Sequence, residues 1–278
     1  MSGETIRIAG ASGFWGDAAR STPQLLKDED VDFIVYDYLA EITMSIMARA
    51  RAKNPDNGYA LDFVSAVMKP NLKEIARQSV RIVSNAGGVN PRACADALRG
   101  VIAELNLDLK VACVLGDDMI GQRDEIAAQG HKEMFSGDGF PDVSKVASIN
   151  AYLGAFPVAR ALQEGADIVI TGRSVDSAVT LGACIDAFGW GRGDLNQLAM
   201  GSLAGHILEC GPQATGGNFT DWELSNNLEN IGYPVAEIRQ DGSFLCSKPK
   251  GTGGLVSVGT IAEQMVYEIG DPQAYILP

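Results

Sequence analysis

A glycine-rich turn ends the first apolar run of this chain, which reads Ile6-Arg7-Ile8-Ala9-Gly10-Ala11-Ser12-Gly13-Phe14-Trp15-Gly16-Asp17. Glycine recurs at every third position of the turn, so the backbone can adopt positive φ and a ligand can approach main-chain N–H groups. In α/β proteins a turn between a strand and a helix N-terminus commonly binds phosphate or carboxylate groups. The stretch therefore predicts an α/β fold that starts with a strand and an anion-binding turn, and a plain tight turn is the alternative.

Apolar runs rich in β-branched residues alternate with helical patterns along most of the chain. Strands are predicted near 5–9, 32–36, 80–84, 110–115 and 167–171, and helices near 39–52, 59–78, 91–106, 144–164 and 174–187. This alternation indicates a mostly parallel, doubly wound sheet with helices on both faces. The segment 121–143 has little periodicity and is predicted to form an excursion or lid over the sheet.

The pattern changes near residue 190, which divides the predicted organisation into two parts. Residues 1–190 are predicted to form the main α/β domain, and residues 191–278 a smaller C-terminal α+β portion packed on it. The alternative is one single domain over 1–278. In the C-terminal portion, helices near 196–209 and 257–268 flank a predicted hairpin, Val235–Arg239 with Ser243–Lys248, whose turn contains Asp-Gly.

The composition excludes several classes of protein. A net charge of −13 leaves no basic surface for nucleic acid. No stretch approaches 18 uninterrupted apolar residues, and the N-terminus lacks the pattern of a signal peptide. Five scattered cysteines without a CxxC pair are typical of reduced thiols. We therefore expect a cytoplasmic protein with neither a nucleic-acid nor a membrane partner.

Ligands bind open α/β sheets where the loops after the strand carboxyl ends converge, and this rule selects the first candidate site residues. They are Gly13, Trp15, Gly16 and Asp17 after the first strand, Asn85, Gly87 and Gly88 after the third, and Thr171, Gly172, Arg173 and Asp176 after the fifth. Arg173 is predicted to present its guanidinium to a carboxylate or phosphate. Asp17 or Asp176 is predicted to exchange protons. The alternative for Arg173 and Asp176 is an ion pair that holds the start of a helix.

Two further glycine-rich loops are candidates for binding an anion. One contains Gly216, Gly217 and Asn218, with a flexible lid as the alternative, and the other contains Lys250, Gly251, Thr252 and Gly253, with a solvated basic turn as the alternative. No cofactor is identified, although Asp117 and Asp118 resemble a magnesium-binding pair. Adjacent acids at a strand end are more often helix caps or solvated side chains.

The two histidines, His131 and His206, stand at no zinc-binding spacing, so no zinc site is predicted. His206 precedes Glu209 by three residues on a predicted helix, which favours a buried hydrogen-bonded pair over a catalytic one. Cys210 follows directly, but no nearby residue identifies a base that would activate its thiol.

Several of these segments resemble the acyclic terpene utilisation (AtuA-like) family, and the similarity spans nearly the whole chain. The matching segments are 13–17, 85–91, Thr171-Gly172-Arg173 with Asp176, 209–218 and the distinctive run 251–272. The resemblance implies a role in bacterial carboxylic-acid or acyl-CoA catabolism. It also implies a small ferredoxin-like companion domain or subunit.

The leading functional prediction is a hydratase or dehydratase acting on a small carboxylate or acyl-CoA, in a homo-oligomer. This chemistry requires an acid/base carboxylate and N–H groups that stabilise developing enolate charge, and the glycine-rich turns would supply those N–H groups. The alternative is a non-catalytic subunit that binds acyl-CoA or a nucleotide within a larger complex. A Rossmann dehydrogenase is disfavoured because the first turn has the spacing GxxGxxG instead of GxGxxG.

Overall fold

A computed structural model of the chain describes residues 5–27 and 30–277. At its centre lies a sheet whose strands are β1 Thr5–Gly10, β2 Phe33–Tyr36, β3 Arg81–Ser84, β4 Val111–Val114, β5 Ile168–Thr171, β6 Val235–Arg239 and β7 Phe244–Ser247. They lie in the order β4-β5-β3-β2-β1-β6-β7. Strands β1 to β5 run parallel, whereas β6 is antiparallel to β1 and β7 to β6. The predicted, mostly parallel α/β sheet is confirmed.

Most of the helices lie between consecutive strands along the chain, and the last helix follows β7. They are α1 Ala18–Leu26, α2 Glu41–Lys53, α3 Lys69–Gln78 after a π-helical turn at Phe63–Met68, α4 Pro91–Glu104, α5 Arg123–Ala128, α6 Phe156–Gln163, α7 Ala178–Phe188, α8 Leu195–Glu209 and α9 Val258–Glu268. No helix in the described part of the chain is both long and apolar enough to cross a membrane.

Two apolar cores cover the two faces of the sheet, as the doubly wound prediction requires. Helices α1, α3 and α4 pack on one face, and α6, α7 and α8 pack on the other. Along β3, Ile82 faces the first core and Val83 the second, and both are fully buried. Strands that are buried on both faces have continuous apolar sequences, and for this reason they could be predicted from the sequence.

The predicted helix over 144–164 is wrong in its first half, because regular helix begins only at Phe156. The preceding residues pair instead with the loop after β5. The Leu153 N–H donates to the Arg173 carbonyl at 3.2 Å, and the Val175 N–H donates to the Leu153 carbonyl at 2.9 Å. This long-range pairing satisfies backbone groups that a helix would otherwise satisfy.

Two segments of the chain lie outside the set of parallel strands. The segment 121–143 lies outside the sheet, as predicted, and is exposed over most of its length. The predicted hairpin is confirmed as β6 and β7, which belong to the C-terminal portion and continue the same sheet beyond β1.

Candidate functional site

A pocket of about 510 Å³ opens at the carboxyl end of the parallel strands. Its walls come from the loops after β1, β2 and β5 and from the ends of α8 and α9. We call it the acid pocket because four carboxylates line it, namely Asp37, Asp176, Glu209 and Glu268. No Lys, Arg or His side chain is among the described residues that line it.

The glycine-rich turn after β1 forms one wall, through Gly13, Phe14 and Trp15. A Cβ on Gly13 would lie 2.4 Å from the Cys210 carbonyl oxygen, so only glycine allows this close approach. The Trp15 indole Nε1–H donates to Asp62 Oδ1 at 2.5 Å, which fixes the ring in the wall.

Asp17 lies directly behind this wall and does not line the pocket itself. Its Oδ2 accepts hydrogen bonds from the Gly13 N–H at 2.8 Å and from the Tyr233 hydroxyl at 3.4 Å. Its Oδ1 is buried without a hydrogen-bond partner among the described residues. Burial raises the pKa of Asp17 to about 6, because the charged form is poorly solvated there.

Arg173, predicted to anchor a ligand, has its guanidinium bound within the protein. Its Nη1 donates to Asp176 Oδ1 at 2.8 Å and to the Leu39 carbonyl at 3.2 Å, and its Nη2 donates to the Tyr152 hydroxyl at 3.0 Å. The guanidinium carbon also lies 4.2 Å from the centre of the Tyr152 ring. Arg173 is buried and does not line the pocket, whereas Asp176 does. The arrangement matches the ion-pair alternative for these two residues.

Asp117, proposed above as half of a magnesium pair, joins two loops. Its Oδ2 accepts hydrogen bonds from the Arg173 backbone N–H and from Asn150 Nδ2, both at 2.8 Å. Burial raises the pKa of Asp117. A Cβ on Gly172 would lie 2.3 Å from the same oxygen, which explains the glycine at that position. The Asp118 carboxylate forms an ion pair with Arg51 at 3.0 Å.

Asp37, a pocket residue that was not predicted, is held by the predicted residue Asn85. The Asn85 side chain donates to Asp37 Oδ1 at 2.5 Å and accepts from the Tyr38 N–H at 2.7 Å. Burial, with a contribution from the nearby Asp176 carboxylate, raises the pKa of Asp37 to about 7. The strand-end rule alone identifies this residue, since Asp37 directly follows β2.

The interior beside Asn85 contains three further predicted residues, Gly87, Gly88 and Thr171. None of them lines the pocket. A Cβ on Gly87 would lie 2.4 Å from the Thr171 carbonyl oxygen, so the loops after β3 and β5 are in close contact. Gly88 has φ 53°, in the left-handed region that favours glycine.

Glu209, the last residue of α8, is the second pocket carboxylate that was not predicted. Its Oε1 forms the expected buried hydrogen bond with His206 Nδ1 at 2.7 Å, and His206 Nε2 contacts the Tyr275 hydroxyl. Its Oε2 is buried without a hydrogen-bond partner in the described part of the chain. Burial raises the pKa of Glu209 well above its usual range and lowers that of His206.

Cys210, considered above as a nucleophile, lies at the end of α8 with its thiol directed to an acid. Its Sγ donates to Glu268 Oε1 at 3.2 Å. Burial raises the pKa of the Cys210 thiol, and neighbouring carboxylates add to the effect. The environment therefore opposes formation of the thiolate that a nucleophile needs.

The other two glycine-rich loops do not contribute to the acid pocket. Asn218 lines a separate pocket of about 490 Å³ beside α9, and Gly216 packs against Ser225. The 250–253 turn packs against residues 226–232, where a Cβ on Gly253 would lie 1.9 Å from the Asn227 carbonyl oxygen. The Thr252 carbonyl accepts a hydrogen bond from Lys248 at 2.8 Å.

Comparison with known proteins identifies one family. The family model described as "Acyclic terpene utilisation family protein AtuA" matches residues 6–278. No curated protein and no solved structure was found to match the chain.

Proposed function

The chain belongs to the acyclic terpene utilisation family, and from this premise we propose that it is an enzyme of carboxylic-acid or acyl-CoA catabolism. The reaction we propose is addition or removal of water beside a carboxyl or thioester carbonyl. The observation that supports it is the convergence of three strand-end loops and two helix ends, with four carboxylates, on one pocket. Concave sites where a few polar groups converge are the usual place for catalysis.

Water addition and removal both require a group that exchanges a proton with the carbon next to the carbonyl. We assign this role to Asp17. Its raised pKa of about 6 lies near neutral pH, where one carboxyl can both donate and accept protons. Its Oδ1 has no hydrogen-bond partner in the part of the chain that the structure describes. Because Asp17 stands behind Gly13, the turn 13–16 has to shift when substrate binds.

Arg173 acts in this proposal as a positioning residue. Its guanidinium holds Asp176 in the pocket wall through an ion pair. We therefore expect Arg173→Lys to lower kcat more than it raises KM, since lysine keeps the charge and loses the fork geometry.

The test is turnover of a panel of unsaturated and hydroxy acids and their CoA thioesters, by the wild type and by Asp17→Asn. We expect at least one substrate to be hydrated or dehydrated, and the variant to lose about 100-fold or more in kcat. Asp96→Asn, at an exposed carboxylate of α4, is the matched control and is expected to keep full activity. Equal activity of Asp17→Asn and wild type would disprove the assigned role.

A second candidate is binding without catalysis, as in a subunit that presents an acyl chain to a partner enzyme. An apolar cavity of about 670 Å³, lined by Leu181, Leu198, Leu203 and Met265 among others, favours it. Saturable binding of an acyl thioester with no turnover across the panel would select this candidate.

A further inference from the structure

Three carboxylates of the acid pocket come together from distant parts of the chain. Asp37 follows β2, Asp176 follows β5, and Glu209 ends α8. One carboxylate oxygen from each lies within 4.8 Å of the others. Two oxygens on opposite sides of one cation are about 4.2 Å apart around Mg²⁺ and about 4.8 Å apart around Ca²⁺. An upper limit of 4.8 Å is therefore compatible with all three oxygens binding one cation of this kind.

Among the described residues, the hydrogen bonds that orient each of these carboxylates go to one of its two oxygens. Asp37 Oδ1 accepts from Asn85 at 2.5 Å and from the Leu39 N–H at 3.1 Å, and Asp176 Oδ1 accepts from Arg173 at 2.8 Å. The Oδ2 atoms of both aspartates receive no hydrogen bond from the described residues. Metal-binding carboxylates are commonly held in this way, with one oxygen fixed by an outer partner and the other free for the metal.

Glu209 gives a second and independent observation. Its side chain is only 4% exposed, and its Oε1 is held by His206. Its Oε2 accepts no hydrogen bond from the described residues, although this oxygen is buried at the pocket. Glu268, which also lines the pocket, has an oxygen within 4.8 Å of one from Glu209. Buried polar atoms are normally hydrogen-bonded, and a bound cation would provide the partner that this oxygen lacks.

The surrounding charges support the same conclusion. Arg173 forms an ion pair with Asp176, and among the described residues no Lys or Arg side chain forms an ion pair with Asp37 or Glu209. No basic side chain among the described residues lines the acid pocket. A substrate carboxylate or a developing enolate would be repelled there unless a cation were also bound.

We propose that Asp37, Asp176 and Glu209 form a binding site for a hard divalent cation such as Mg²⁺, Mn²⁺ or Ca²⁺. All three donors are oxygens, which these cations prefer. Both nitrogens of the neighbouring His206 are engaged, by Glu209 and by Tyr275, so the free ligands do not include the imidazole that zinc favours. The role of the cation rests on the proposed function, since it would hold the carbonyl or carboxylate oxygen of the substrate.

The test is titration of the full chain with Mn²⁺ alone, with free Mn²⁺ followed by electron paramagnetic resonance. We expect one saturable site in the wild type, with Mg²⁺ or Ca²⁺ competing. Asp37→Asn and Glu209→Gln are each expected to weaken binding by at least about tenfold. The asparagine at 37 keeps an oxygen that can accept the Asn85 and Leu39 hydrogen bonds, so this variant serves if Glu209→Gln does not fold.

The matched control is Asp118→Asn, which changes the acid that pairs with Arg51 outside the pocket. We expect it to bind Mn²⁺ as the wild type does. No saturable binding in the wild type, or equal affinity in wild type, Asp37→Asn and Glu209→Gln, would overturn the site. Loss of binding in Asp118→Asn alone would place the cation at Asp117 and Asp118 and overturn it too. Because no substrate is present, the result is separate from the outcome of the turnover panel.

Discussion

Replacing Asp17 with asparagine is expected to stabilise the folded protein at neutral pH. Asp17 is 9% exposed, and burial raises its pKa from 3.8 to about 6. The folded state therefore binds this proton more tightly than the unfolded chain does, and stability falls as the pH rises from about 4 to about 6. Ionised Asp17 costs about 3 kcal/mol once the pH is above 6. Asparagine does not ionise, and its Oδ1 can still accept from the Gly13 N–H.

The assay is urea unfolding of wild type and Asp17→Asn at pH 5.0, 6.0 and 7.5, followed by circular dichroism. The free energy of unfolding of the variant, relative to wild type, should increase by about 1.4 kcal/mol between pH 5.0 and 7.5. Other titrating groups cancel in this difference because both proteins contain them. Asp96→Asn, at a carboxylate that is 72% exposed, should show no comparable trend. A difference between Asp17→Asn and wild type that is constant with pH would refute the claim that burial dominates at Asp17.

Three further predictions concern packing and reactivity. Gly13→Ala places a Cβ 2.4 Å from the Cys210 carbonyl oxygen, so urea unfolding should show a loss of about 1–3 kcal/mol; a neutral effect would mean that the turn relaxes freely. Arg81→Ala leaves Asp186 without the partner it has at 2.5 Å, and the same assay should show a loss of about 3 kcal/mol. A loss below about 1 kcal/mol would mean that water replaces the guanidinium. The most deeply buried thiols are those of Cys94 and Cys184, and burial raises their pKa. Ellman's reagent at pH 8 should therefore label these two cysteines about 100-fold more slowly in native protein than in urea. Rapid native labelling would contradict their burial.

The sequence revealed most of the sheet because buried parallel strands carry their signal locally. Each predicted strand lies within two residues of an observed one, and the Asp-Gly turn located the hairpin. The start of α6 could not be predicted from the local sequence, because Leu153 pairs with the loop after β5, about twenty positions away along the chain. Long-range pairing of this kind overrides helical periodicity.

The acid pocket was only partly predictable. The strand-end rule selected Gly13, Trp15 and Asp176, and it applies equally to Asp37, which directly follows β2. Glu209 reaches the pocket through the packing of α8, and no local spacing encodes that direction. The 250–253 turn shows a second limit, since glycine permits close approach to a carbonyl as readily as to an anion.

The position of the hairpin has a consequence for how the chain is synthesised. Strand β1 pairs on one side with β2, about thirty residues away, and on the other with β6, which begins at Val235. The second edge of β1 therefore stays bare until the ribosome has made most of the chain. An exposed apolar edge is a template for pairing with other molecules. Any nascent or truncated form that ends before Val235 is expected to need chaperone protection that the full chain does not.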